Sequence, residues 1–298
     1  MTLTPRAVVV HRRAELEELI ARHGTRQQVA FFLSNRGRSL DDVEARHAAQ
    51  RHALEAVARA IPIDWRRGNV ERSDLNRFVF GPEDVIVAVG QDGLVANVAK
   101  YLTGQVVVGI DPEPERNPGV LVPHRPDAIG SLLAQAVADD VGAHVQARVM
   151  VQANVDDGQR LRALNEVFVG HPTHQSARYR IAAPDGRAER HSSSGVLIGT
   201  GTGSTGWCRS AWLERHSTIA LPGFDEPRLS WFVREAWPSP ATGTDCTEGL
   251  LDVGQELVMI AESDLVIFGD GIESDALSLT WGQQVAVRLA DQRLHLLV

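Results

Sequence analysis

The sequence predicts an α/β N-terminal domain built on a parallel, doubly wound sheet, followed by a β-rich C-terminal domain. Three observations carry this expectation. Asp84–Ile110 reads as strand, tight turn, helix and strand. The segments before it also alternate strand-like and helix-like runs. Beyond about residue 120 the pattern changes to short apolar runs separated by turn residues, the spacing of a largely β domain.

Ala7–His11 is an apolar β-branched run and reads as the first strand. Leu16, Leu19 and Ile20 give the next stretch a helical apolar face. Gln28–Ser34 is a second strand candidate. Ser39-Leu40-Asp41-Asp42 has the look of a helix start with an acidic first turn, and the long helix behind it carries Val43, Leu54, Val57, Ala58 and Ile61. Val85–Val89 and Val106–Ile110 are strands, and Leu94, Val95, Val98, Ala99 and Leu102 recur between them at helical spacing. A parallel pair with a buried helical crossover follows. Pro112, Pro114 and Pro118 break the rhythm, and a last helix is expected at Ile129–Val137.

The remaining strand candidates are Val145–Val151, Glu166–Val169, Ala177–Ala182, Gly195–Gly199, Leu257–Ile260, Leu265–Phe268, Gln284–Leu289 and Leu294–Val298. Pro222–Gly249, rich in proline and glycine, reads as a long loop. The expected division is residues 1–122 for the α/β domain and 123–284 for the β-rich one.

At 43% hydrophobic and 23% charged the composition is that of an ordinary globular protein. The longest apolar stretches are strand-sized, which argues against a transmembrane span. The N-terminus lacks the apolar core of a signal peptide, and a cytoplasmic location is expected. Cys208 and Cys246 stand far apart and offer neither a disulfide framework nor a cysteine metal cluster. The net charge of −8 argues against nonspecific nucleic-acid binding, so an anionic ligand must be held by local groups.

Three constellations could carry chemistry. Gly90-Gln91-Asp92-Gly93 sits at the carboxyl end of a buried parallel strand, where open α/β sheets bind ligands. Its glycines let backbone N–H groups approach an anion, and the helix N-terminus favours negative charge. Asp92 there suits a proton acceptor, a metal contact or a helix cap. Within Ser192–Ser210, a strand enters a loop of Gly, Ser and Thr that offers donors to phosphate oxygens. Gly201–Gly206 also fits G-x-G-x-x-G, though amid β-rich sequence and not in a first βαβ unit. Trp207 directly follows it and could stack on a base. Asn165-Glu166 offers a donor and acceptors to a base edge or ribose, or is an exposed turn. His171 and His174 lack further ligands nearby and read as loop residues.

In this order the pieces resemble the NAD kinase family, within the superfamily that also holds diacylglycerol and sphingosine kinases. That family has a GGDGT turn after a strand, an N-E/D pair and a T-G-S-T-A-Y segment. Here these stand as Gly90-Gln91-Asp92-Gly93-Leu94, Asn165-Glu166 and Thr202-Gly203-Ser204-Thr205-Gly206-Trp207, and Gly269-Asp270-Gly271 resembles a later D-G turn. The resemblance covers about residues 83–298.

It implies an ATP-dependent kinase with Mg²⁺ carried on the nucleotide, and a homo-oligomer such as a dimer. It places the active site between an α/β nucleotide-binding domain and a β-rich domain, with the tail at about 285–298 packed back on the first. Asp92 would be the base for the 2′-hydroxyl of the adenosine ribose of NAD. Gly90, Gln91, Gly93, Asn165, Glu166, Ser194, Thr202, Gly203, Ser204, Thr205, Trp207 and Ser210 would line the nucleotide and phosphate sites, with Trp207 replacing a stacking Tyr. Arg178 and Arg209 are further candidate phosphate contacts, with surface salt bridges as the alternative role for each.

Gln91 and Leu94 replace the family's Gly and Thr, and Ser194 stands where an Asp binds the nicotinamide end. A kinase of another nucleotide or a polyol is therefore an alternative. So are an NAD-dependent oxidoreductase built on Gly201–Gly206 and a non-catalytic nucleotide-binding regulator.

Overall fold

The computed structural model describes residues 4–116 and 119–298. The chain forms two compact units, Met1–Gln146 with His295–Val298, and Ala147–Leu294.

The first unit contains β1 (Arg6–His11), α1 (Glu15–His23), α2 (Arg26–Ser34), α3 (Leu40–Ala60), β2 (Arg66–Glu71), β3 (Asp84–Val89), α4 (Asp92–Ala99), β4 (Val106–Ile110) and α5 (Ile129–Ala136). The strands lie in the order β2-β1-β3-β4 and all pair in parallel. Every residue of β3 is buried, because both faces of the sheet are covered. Val85, Val87 and Val89 pack with Ala53, Val57 and Ile61 at the end of α3 and with Ile129, Leu132 and Leu133 of α5. The alternate residues face the other side, where α4 lies over β1, β3 and β4. This is why β3 is a continuous apolar run and not an alternating one. His295 and Leu296 pair in parallel with Val106 and Val107 of β4.

Gln28–Ser34, expected as a strand, is helical and forms most of α2. Thr25 closes a capping box: the Gln28 N–H donates to Thr25 Oγ1 at 3.2 Å, and Gln28 Oε1 accepts from the Thr25 N–H at 3.2 Å. Val29 and Leu33, one turn apart, bury against Leu19 and Val43, while Phe31 on the far side is 70% exposed. A short apolar run is compatible with either element, and the cap decides here. β2 was hidden by its polar sequence, RRGNVE. It is the edge strand, and only Val70 is buried.

The second unit contains β5 (Val145–Val155, whose first two residues belong to the first unit), β6 (Arg160–Ala163), β7 (Glu166–Gly170), β8 (Ala177–Ala182), β9 (Ala188–Ser193), β10 (Gly195–Gly199), α6 (Trp207–Glu214), β11 (Leu229–Arg234), β12 (Glu248–Leu251), β13 (Leu257–Ala261), β14 (Leu265–Gly269), β15 (Ile272–Leu279) and β16 (Gln284–Leu297, whose last three residues belong to the first unit). One antiparallel array runs β12-β11-β10-β7-β14-β15. A second runs β16-β13-β8-β9, with β5 beside β16 and β6 beside β5. Inward-facing residues of both, among them Val169, Tyr179, Ile198, Trp231, Met259 and Val287, make one core.

Two expectations need correction. Pro222–Gly249 is not all loop, because Leu229–Val233, apolar but for Ser230, is buried and makes up all but the last residue of β11, and Glu248 opens β12. Gln284–Leu289 and Leu294–Val298 are not separate strands but parts of β16, whose backbone stays extended through Asp291-Gln292-Arg293. Among the described residues no helix is long and apolar enough to cross a membrane.

Candidate functional site

In the first unit the site is the turn between β3 and α4. Gln91 is the N-cap of α4 and makes no side-chain capping bond, so Asp92 is the first helical residue and not the cap. Its carboxylate instead accepts three backbone N–H groups, from Val120 at 2.9 Å, Leu121 at 2.8 Å and Val122 at 3.2 Å. The segment reaches Asp92 because it crosses the end of β4. His124 bridges Ile110 in parallel, and a Cβ at Gly109 would collide with the Leu121 carbonyl. The Gly90 N–H is fixed on the Ile110 carbonyl at 3.0 Å.

Oδ1 of Asp92 takes two of the three donors and Oδ2 takes one. An ionised carboxylate oxygen has room for two, so Oδ2 keeps capacity for one more hydrogen. Gln91 and Gly93 are exposed beside it, whereas Leu94 is buried. Asp111 lies close by and is 5% exposed. Its Oδ1 accepts the Glu113 N–H at 2.8 Å, and its Oδ2 has no partner. Burial, and then the charge of Asp92, push the Asp111 carboxyl above the usual aspartate range.

In the second unit Glu166 opens β7 directly after Asn165, and the glycine-rich loop after β10 docks on this turn. The Thr200 N–H donates to the Asn165 carbonyl at 2.9 Å. Thr200 Oγ1 donates to the Leu164 carbonyl at 2.6 Å and accepts from the N–H groups of Thr202 at 3.1 Å and Gly203 at 3.3 Å. Gly203 presses so closely on Asn165 that a Cβ there would collide with the Asn165 carbonyl. The hydroxyls of Ser204 and Thr205 donate to carbonyls of the same loop, Thr200 and Thr202. The Thr202 hydroxyl is buried and has no partner. An orphaned buried hydroxyl in a loop of backbone donors is what a bound phosphate or ribose oxygen would satisfy.

Glu166 pairs with Gly199 of β10, and on its other side stands Asp270. Burial first, and Asp270 second, raise the Glu166 carboxyl to about 8. Trp207, half-buried at the start of α6, stacks on Phe168 at 5.3 Å and 19°, and the Arg234 guanidinium lies 5.2 Å from its ring centroid. Ser194, Arg209 and Ser210 are exposed, and Arg178 lies on β8, in the other array from β7 and β10.

β10 runs between antiparallel neighbours, β7 and β11. Gly201–Gly206 therefore does not open a parallel βαβ unit, the context a dinucleotide fingerprint requires. His171 is partly exposed in a turn and its Nδ1 accepts from the Thr173 N–H at 3.1 Å.

Sequence reasoning missed the residues that hold these sites together. Thr200 and the N–H groups of residues 120–122 were not singled out, and Asp270 was noted only as part of a D-G turn, not as the acceptor of the Leu164, Asn165 and Glu166 amides. Thr200 had a signal, a hydroxyl directly after the last strand residue and before a Gly-x-Gly run. Residues 120–122 act through the backbone and had none.

The chain is similar to NAD kinases. It is 27% identical over 143 residues to the NAD kinase of Chlorobaculum tepidum, across 47% of each chain. It is 33% identical over 131 residues to the NAD kinase of Methanoculleus marisnigri, across 43% of this chain and 46% of that one. It is 30% identical over 167 residues to the mitochondrial NAD kinase 2 of Rattus norvegicus, across 42% of this chain and 39% of that one. The chain thus spans about half the length, or less, of the curated relatives it matches. No protein-family model matches it. The resemblance to the NAD kinase family read from the motifs is borne out by these similarities.

Proposed function

We propose, from the similarity of this chain to NAD kinases, that it transfers the terminal phosphoryl group of ATP to the 2′-hydroxyl of the adenosine ribose of NAD, giving NADP. The observation that supports this best is the Asp92 carboxylate. It stands at the carboxyl end of β3, is oriented by three N–H donors, and retains a lone pair on Oδ2. A ribose hydroxyl donating to that oxygen is aligned for attack; as its oxygen bonds the γ-phosphorus, the bond from phosphorus to the ADP oxygen breaks, ADP leaves, and the hydroxyl proton passes to the carboxylate. Phosphoryl transfer otherwise needs positioning and charge neutralisation.

In this reading Asn165 and Glu166 bind the dinucleotide. The N–H groups of Gly90–Gly93 and of residues 201–205, with the Thr202 hydroxyl, hold phosphate or ribose oxygens. Trp207, already stacked on Phe168, extends an apolar platform toward adenine. Among the described residues no group of three or more His, Cys, Asp or Glu side chains is arranged to hold a metal. In the proposal Mg²⁺ would be carried on the ATP phosphates and would supply charge neutralisation there.

The test is incubation of the full chain with labelled ATP, Mg²⁺ and NAD, followed by separation of NADP. Label in NADP that disappears in Asp92→Asn supports the reading, and no label at any NAD concentration refutes it. One observation favours a second reading, that the acceptor is another nucleotide or a polyol. Ser194 is exposed and uncharged where the family's nicotinamide-end Asp stands. The same assay with a panel of hydroxylated acceptors separates the two.

A further inference from the structure

We infer that Asp270 is a positioning residue: its carboxylate fixes the backbone of the Asn165–Glu166 turn and so sets how Glu166 meets a bound nucleotide. Asp270 Oδ2 accepts the Leu164 N–H at 2.8 Å, and its Oδ1 accepts the N–H groups of Asn165 at 2.7 Å and Glu166 at 3.3 Å. The Asp270 N–H donates back to the Glu166 carbonyl at 3.2 Å. Three consecutive amides are thus gathered on one carboxylate, and charge-assisted bonds of this kind are the strong ones.

The register explains the meeting. β14 pairs with β7 so that Gly269 lies opposite Val167, and the residue that follows β14, Asp270, falls beside Glu166. Asp270 holds this place in the left-handed region, at φ 53°. A non-glycine residue stays there only where its surroundings over-determine it. The same turn carries the glycine-rich loop, through the Thr200 N–H bond to the Asn165 carbonyl at 2.9 Å. One side chain therefore sets two of the elements that the proposed function uses.

Position also sets charge. Among the described residues, titratable groups that act on Glu166 include Asp270, from the turn after β14, and the buried Cys208 thiol of α6. Burial and then Glu166 hold that thiol above its ordinary range, so it stays neutral. Buried, and with Asp270 beside it, Glu166 keeps its proton to about 8 and meets the ligand as a neutral acid, able to donate as well as accept. Ionised, it would add negative charge beside a diphosphate.

The inference rests on the reading that this turn binds nucleotide, and the experiment separates the two. Full-length wild type, Asp270→Asn and Glu166→Gln are compared by infrared titration of the Glu166 carboxyl, taken as the difference from Glu166→Gln, and by NAD calorimetry between pH 6.5 and 9. The wild-type Glu166 midpoint should lie near 8, and NAD affinity should fall as pH rises through it. Asp270→Asn should move the midpoint down toward the usual glutamate range and weaken NAD about tenfold or more at pH 7, the scale of one lost charge-assisted bond. Glu166→Gln should bind with no pH dependence over that range.

A purely structural Asp270 would lower stability or affinity and leave the Glu166 midpoint in place, and that result overturns the inference. So does a wild-type midpoint in the ordinary glutamate range. A midpoint that moves in Asp270→Asn while wild type binds no NAD leaves the positioning intact and refutes the nucleotide reading. If Asp270→Asn does not fold, Asp270→Glu takes its place. It keeps the charge and displaces the amide cradle, so it should retain the raised midpoint and lose affinity. Unchanged affinity in that variant overturns the inference.

Discussion

Replacing Asp92 by Asn should loosen residues 120–122 and slow the proposed phosphoryl transfer, by different amounts that can be read separately. The amide can present its oxygen where Oδ1 stands, keeping the bonds from Leu121 and Val122 at 2.8 and 3.2 Å. Its NH₂ then faces the Val120 N–H, which now donates to Oδ2 at 2.9 Å. One bond to a charged acceptor is lost and two become neutral, for ~2 kcal/mol of local stability. That corresponds to roughly 30-fold faster exchange of the Val120 amide where local opening controls it. Turnover should fall by ~10²-fold or more, the usual scale of a general base. Hydrogen exchange of the 119–123 peptide and single-turnover transfer are measured on the same preparation. Unchanged protection of Val120 refutes the geometric argument. Faster exchange with turnover reduced no further than the folded fraction makes Asp92 a clamp for residues 120–122 and refutes the base.

Gly203→Ala should cost ~1–3 kcal/mol by urea denaturation, because its Cβ meets the Asn165 carbonyl, and an undiminished midpoint would show that the loop yields. Thr200→Val keeps the shape but removes one hydroxyl bond to Leu164 and two from Thr202 and Gly203, for ~1–3 kcal/mol, with a matching loss of amide protection at Gly203. Trp207→Ala removes both the Phe168 stack and the Arg234 contact, so NAD binding should weaken by ~1–3 kcal/mol, taking base–aromatic stacking as the scale. Equal affinity in the folded variant makes Trp207 a packing residue. Glu166 binds a proton in the folded state up to about 8, whereas the unfolded chain releases it in the usual glutamate range. The folded state therefore holds more protons between those values. Unfolding free energy from this group falls as pH rises through the window and levels off above about 8. A urea series at pH 5 to 9 should show that slope in wild type and a smaller one in Glu166→Gln, and identical slopes would refute it.

The βαβ unit of residues 84–110 was legible because burial on both faces leaves a strand no choice but a continuous apolar run, and the crossover helix shows its period between two such runs. The place of Asp92 at a strand end was legible for the same local reason, as a carboxylate among glycines, and its role is the proposal's. Asn165-Glu166 and Thr202–Trp207 were legible only as ordered motifs. Nothing in either stretch alone separates a ligand loop from an ordinary turn. α2 was misread because Gln28–Ser34 is too short for periodicity to decide. β2 and β11 were missed because an edge strand can be polar, and a strand between proline-rich loops is masked by its flanks.

What the sequence by itself determined is whatever local chemistry can specify: the order of elements, the buried strands, and the residue types fit to handle a hydroxyl and phosphates. What only the tertiary structure decided is which backbone groups those side chains meet. Asp92 is oriented by amides 28–30 residues away, Glu166 owes part of its raised titration to Asp270 at 104 residues' distance, and Thr200 seats its loop on carbonyls 35 and 36 residues before it. Backbone N–H and C=O groups are identical at nearly every residue, so no side-chain pattern records where they will point. Strand register fixes that, and register is a property of the assembled sheet.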